Sequence, residues 1–183
     1  MRKLTLGLAT SLDNYIARKD GGTDWLHWSQ EVAELSARFM KTVDALLIGR
    51  KTYQVMLASG QTSYPGARNY VITRTKKNAA SMIKRLANKN DRSVEVVTSD
   101  AAQFVRKLKQ EKGKGIALFG GGELARALFE ADLIDEVVLN IQPVILGSGI
   151  PLFYQHPKQI CLTLRQAKPL KDGGLVVSYR VKH

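Results

Sequence analysis

Three short stretches place anion-binding chemistry at the ends of apolar runs. In "LLIGRKT" the apolar residues stop at Gly49, and Arg50, Lys51 and Thr52 follow where a helix can begin. "YVITRT" ends in Thr73, Arg74 and Thr75, and "LFGGGEL" runs through Gly120, Gly121 and Gly122 into Glu123 and Leu124. Glycine lets a backbone approach a ligand closely, and the first N–H groups of a helix have no partner inside it, so such turns can hold a phosphate. Arginine adds a permanent charge and a planar fork that grips phosphate at two points. The glycine run is not a GxGxxG fingerprint, and three glycines alone can form no more than a tight turn. The repetition is what matters. In open α/β sheets ligands gather at the carboxyl ends of strands, so three such ends would line one dinucleotide.

The elements that must position these turns can be read from periodicity. Residues 3–10 predict a first strand, followed by a loop over 11–28 and a helix over about 30–42. In that helix Val32, Leu35, Phe39, Met40 and Val43 recur at three- and four-residue steps and mark the core face. Strands are expected at 45–49, 69–73, 94–98 and 115–120, with an Asp100-capped helix between the last two, on which Phe104, Val105 and Leu108 share a face. A helix over "ELARALFEADL" leads to "DEVVLNIQPVIL", a long strand whose Pro143 predicts an edge or a bulge. Residues 159–181 read as two strands joined at Asp172, Gly173 and Gly174. Strands separated by helices early and adjacent strands late predict an α/β fold, a mixed sheet with helices on both faces.

At 183 residues and 44% hydrophobic, the chain suits one domain, 1–183, with its own core. The single Cys161 excludes an intramolecular disulfide and a Cys-rich zinc site, fits a reducing compartment, and is expected in the core. His27, His156 and His183 lack ligand spacing, so no metal is expected. Thr5, Gly7 and Thr10 interrupt the first apolar stretch, and no segment approaches the roughly 18 apolar residues of a membrane span. The expectation is a soluble cytoplasmic protein with no membrane partner. Of the net charge of +12, the stretch 74–114 supplies +8, with twelve Lys or Arg against four Asp or Glu. Solvated helix faces or a polyphosphate ligand would account for that excess. Nucleic acid is not expected, because single-strand binders interleave stacking aromatics and this stretch has only Phe104.

Beside these readings, "SLDNYIA", "DWL", "LLIGRKTYQ", "VITRT" and "GGGELARALFEADLIDEVVLNIQPVILGSGIPLF" resemble the dihydrofolate reductase-like superfamily. Within it they look most like the branch related to the C-terminal reductase domain of the bifunctional riboflavin-biosynthesis deaminase/reductase. The resemblance covers nearly the whole chain in the right order. It implies a three-layer α/β sandwich, a mainly parallel sheet with a C-terminal antiparallel hairpin, NADPH as hydride donor, and a homodimer. By this resemblance Gly49 lets the backbone approach the cofactor, Arg50 meets the adenosine 2′-phosphate, and Thr52 bonds the diphosphate. Arg50 and Lys51 together would then discriminate NADPH from NADH. Thr73 and Arg74 would close the adenosine side, while Gly120, Gly121 and Gly122 with the N–H groups of Glu123 and Leu124 cradle the diphosphate. A cis peptide between Gly120 and Gly121 is also implied.

Ala9, Ser11, Leu12, Asp13 and Ile16 match the family's "A-x-S-L-D-G-x-I-A" pattern, whose loop would cover the nicotinamide. Asn14 stands where glycine is usual, and Asn tolerates positive φ. Trp25 resembles the family's Trp at the substrate mouth. Dihydrofolate reductases place a carboxylate on the first helix, and Glu31, beside the apolar stripe with Glu34 on the opposite side, is the candidate by position. Asp13, Trp25 and Glu31 are thus the candidate catalytic residues. Gly7 stands where the riboflavin-pathway reductase has Lys, "MLASGQTSYPG" replaces its "D-D-P-x-L" element, and the "P-W-x-L-P-x-D" of dihydrofolate reductase is missing. The expected function is NADPH-dependent reduction of a small heterocyclic substrate. It is similar to that of the 5-amino-6-(5-phosphoribosylamino)uracil reductase domain, with the substrate itself unassigned. The alternatives are dihydrofolate reductase activity and a non-catalytic NADP-binding protein on the same fold.

Overall fold

The computed structural model describes residues 1–75, 79–80, 82, 93–155 and 157–183. The middle of the basic 74–114 stretch and His156 lie outside the described residues. Eight strands form one sheet: β1 (Leu4–Thr10), β3 (Val43–Gly49), β4 (Arg68–Ile72), β5 (Val94–Val97), β6 (Gly115–Leu118), β7 (Glu136–Ile141), β9 (Leu162–Pro169) and β10 (Leu175–Val181). Their order is β5-β4-β3-β6-β1-β7-β10-β9. All neighbours from β5 to β7 pair in parallel, whereas β10 runs antiparallel to both β7 and β9. The parallel pairing brings six carboxyl ends to one edge of the sheet.

Helices cover both faces, as continuous apolar runs in the central strands require. Leu4, Leu6, Ala45 and Leu47 meet α3 (Ala101–Gln110) and α4 (Gly122–Glu130) through Val105, Leu108, Leu124 and Leu128. On the other face Leu46 and Ile48 pack toward α1 (Gln30–Met40) and α2 (Arg50–Ala58) through Phe39, Met40, Tyr53 and Met56. Residues 45–49 are buried from both sides, which explains a continuous apolar run rather than an alternating one. Leu47 is wholly buried, and truncating such a side chain costs about 2–5 kcal/mol, so the central strands form a stiff platform for the turns at their ends.

Charged residues close the opposite, amino edge. Arg2, buried, pairs with Asp44 and donates from Nε to the Lys114 carbonyl at 2.7 Å. Lys109, also buried, donates to Asp135 at 2.6 Å and to the Leu133 carbonyl at 2.8 Å, while the same Asp135 accepts from the Leu4 N–H.

Several sequence expectations need correction. The strand expected across 135–146 ends at Ile141, before Pro143, and lies inside the sheet between β1 and β10 rather than at an edge. The region read as a loop over 11–28 contains β2 (Tyr15–Ala17), which pairs with β8 (Ile150–Pro151) in a small second sheet. Cys161 is exposed, not in the core, because it leads into the sheet's edge strand β9, where nearly every residue faces solvent. The Gly120–Gly121 peptide is trans.

Candidate functional site

A cleft of about 470 Å³ opens at the carboxyl edge, within the size range of small-ligand sites. Residues 49–52, 72–75 and 120–124 line it, so the three stretches singled out by their chemistry meet in one place. The 49–52 and 120–124 turns touch directly. The Gly49 N–H donates to the Gly120 carbonyl at 3.3 Å, and a Cβ on Gly49 would lie 3.4 Å from both that oxygen and the Gly121 Cα. Gly120 and Gly121 take φ of +83° and +90°, a region other residues rarely enter. A Cβ on Gly120 would also stand 2.8 Å from the Thr52 side chain. Gly122 has a different reason to be glycine, since a Cβ there would stand 2.5 Å from the Tyr154 ring and 2.6 Å from the Pro151 carbonyl.

The helix starts differ in a telling way. Ser29 caps α1 by accepting from the Val32 N–H, and Asp100 caps α3 by accepting from the Gln103 N–H at 2.7 Å. By contrast α2 and α4, which both open onto the cleft, have Gly49 and Gly121 as N-caps and no side-chain cap. Their first N–H groups and the positive ends of their dipoles are left for something else to satisfy. Cations stand around them. Arg50 donates to Gln54 at 2.9 Å, leaving its charge unneutralised by that contact. Arg74 pairs with one oxygen of Glu123, and Lys51 lies 3.6 Å from the other. Uncapped helix starts, permanent cations and backbone free of Cβ atoms form a donor set that suits a ligand carrying several phosphate charges.

The covering loop is pinned through Asp13. Its carboxylate accepts from Ser11 Oγ at 2.6 Å and from the N–H groups of Leu146 and Gly147 at 3.1 and 2.8 Å. The Ser11 hydroxyl, with those two amides, holds the Asp13 carboxyl below the usual aspartate range. Asn14 takes φ of +64°, so the turn keeps its shape without glycine, and Leu152 N–H donates to the Asn14 carbonyl. The result carries Ile16 to the cleft wall.

Twelve of the thirteen residues expected at a cofactor line the cleft, with Ala9 the exception. Side chains alternate along β1, so Leu8 faces the cleft, while Ala9 shares the face of Gly7, which lies against Phe39 of α1. None of the candidate catalytic residues lines it. Glu31 pairs with Lys168 at 2.6 Å and accepts from the Lys171 N–H, tying α1 to the β9–β10 hairpin; the Lys168 contact lowers its pKa. Trp25 is half-buried, with its Nε1 buried and unbonded. The sequence reading missed Ile150 and Tyr154, which close the cleft from the β8 side. The "GSG" before Ile150 was the available signal: a Cβ on Gly149 would lie 2.3 Å from the Ala17 carbonyl, so only glycine permits the β2–β8 contact.

Among the described residues no group of His, Cys, Asp and Glu could hold a metal ion, and no helix is long and apolar enough to cross a membrane. The family model described as RibD C-terminal domain matches residues 2–177. The Bacillus subtilis (strain 168) protein YwjB is 36% identical over 169 residues, covering 91% of each chain. A crystal structure from Shewanella sp. PV-4, named "Putative riboflavin biosynthesis protein", is 27% identical with a TM-score of 0.82 over all of both chains. Dihydrofolate reductase from Enterococcus faecalis, in complex with NADP(H), matches at a TM-score of 0.67 over 99% of this chain and 97% of its own. At 15% identity that likeness shows the dihydrofolate reductase-like fold alone.

Proposed function

The chain belongs to the RibD C-terminal domain family, and from that premise and the chemistry of the cleft we propose that it binds NADPH and reduces a small heterocyclic substrate. The observation that carries this reading is the pair of glycine-capped helix starts, α2 and α4, facing one cleft among Arg50, Lys51 and Arg74. In this reading the N–H groups of α4 and the 120–122 backbone hold the diphosphate, with Thr52 beside them. Arg50 and Arg74 take the 2′-phosphate, with Thr73 between strand and ligand. NADPH, when bound, supplies the hydride. Asp13 is a positioning residue that fixes the loop carrying Ile16. Glu31 and Trp25 lie outside the cleft, and no chemical step is routed through them. A single domain, a cytoplasmic setting and a homodimer formed over the exposed Leu162 and Leu164 of β9 complete the proposal.

A second reading has one observation in its favour. Among the described residues that line the cleft the only carboxylate is Glu123, at the phosphate end, so none of the others is an acid that could serve as proton donor. That would suit a protein that binds NADP without reducing anything. The test is loss of NADPH absorbance on mixing the protein with dihydrofolate, pyrimidine and carbonyl compounds. Oxidation driven by a heterocycle supports the reductase; tight binding without turnover by any compound favours the second reading; no nucleotide binding contradicts both.

A further inference from the structure

Glu123 stands where the cleft most favours an anion. It lies in the first turn of α4, at the positive end of that helix, and its two carboxylate oxygens are divided between Arg74 and Lys51. Its carboxylate meets the same cations that a phosphate in this part of the cleft would meet. We propose that Glu123 is a specificity-determining residue, an internal counter-anion that competes with ligand phosphates for Arg74 and Lys51 and so limits the preference for a 2′-phosphorylated dinucleotide. This rests on the reading of the cleft as an NADPH site.

The charges decide the direction of the effect. Arg50, Lys51 and Arg74 bring three positive charges to the rim, and Glu123 removes one of them. A phosphate that engages Arg74 must share it with the carboxylate or displace it, and like charges held a few ångströms apart repel. The pairs are open to exchange, because the side chains of Arg74, Lys51 and Glu123 are all more than half exposed, and exposed ion pairs are weak. Arg50 bonds to the neutral Gln54 and does not depend on Glu123, so the carboxylate tempers phosphate affinity without abolishing it.

The test is Glu123→Gln, which keeps the size of the side chain and the backbone N–H groups. Wild type and variant are titrated with NADPH and with NADH, following nicotinamide fluorescence at low and high salt. The variant is expected to bind NADPH about three- to tenfold tighter at low salt, a gain in the range of one or two exposed ion pairs. NADH affinity should change by less than about twofold, and the gain for NADPH should shrink near 0.5 M salt, where screening is strong. If the variant binds NADPH no tighter than a selective wild type, or more weakly, Glu123 is a strut that holds Arg74 in place; the proposal is then wrong and the NADPH reading stands. If wild type binds neither nucleotide, both are wrong.

Discussion

At the amino ends of the parallel strands Arg2 and Lys109 are buried, each committed to a carboxylate and to backbone carbonyls; at the carboxyl ends Arg50, Lys51 and Arg74 stand at the surface with one carboxylate among them. The same contrast appears in the backbone. Asp100 caps α3, while α2 and α4 begin at glycines with no side-chain cap. Charge at the amino edge completes the fold, since each of these two buried ions has a carboxylate partner. Charge at the carboxyl edge exceeds what the fold uses, and the surplus lies beside open helix starts. A ligand with several phosphates is what would complete that edge.

The largest effect of a single substitution is expected at the amino edge. Asp135→Ala leaves Lys109 buried and unpaired and should cost about 3–5 kcal/mol of stability in a denaturant titration, with nucleotide affinity of the folded protein unchanged. A loss under about 1 kcal/mol would mean that the pair is not structural. The carboxyl edge should respond in the opposite way. Arg50→Ala should leave the unfolding midpoint near that of wild type and weaken NADPH by tenfold or more, since a hydrogen bond to a charged group is worth about 1.5–3 kcal/mol. NADH should be nearly unaffected, and equal losses for both nucleotides would remove Arg50 from the 2′-phosphate role. The smallest effect sharpens the contrast among helix starts: Asp100→Ala should cost about 1 kcal/mol through loss of the α3 cap, and nothing in binding.

Much of the carboxyl edge was legible in the sequence because it is local. A strand, a glycine and a cation in succession specify a turn whatever the rest of the chain does, and the Asp100 cap and the Gly173 turn, with φ of +86°, are local in the same sense. What depended on tertiary packing was not legible. Glu31 has the residue type and helix position of a catalytic acid, but the partners that occupy it, Lys168 and Lys171, lie far along the chain. The family pattern singled out Ala9 by spacing, yet strand alternation turns its side chain away from the cleft and presents Leu8. Cys161 is apolar enough for a core, and only the topology, which leaves β9 at the sheet's edge, exposes it. The two-residue β8 is too short to carry a periodic signal, so Ile150 and Tyr154 entered the cleft unannounced.

In the proposed function α2 and α4 begin without side-chain caps because a bound ligand would cap them. Amide hydrogen exchange with and without NADPH reads this directly. Exchange should slow at residues 50–52 and 122–124 when NADPH is added, and stay unchanged at Gln103, whose N–H is already bonded to Asp100. Slowing confined to other parts of the chain, or none at either glycine-capped start, would mean that NADPH does not cap these helices.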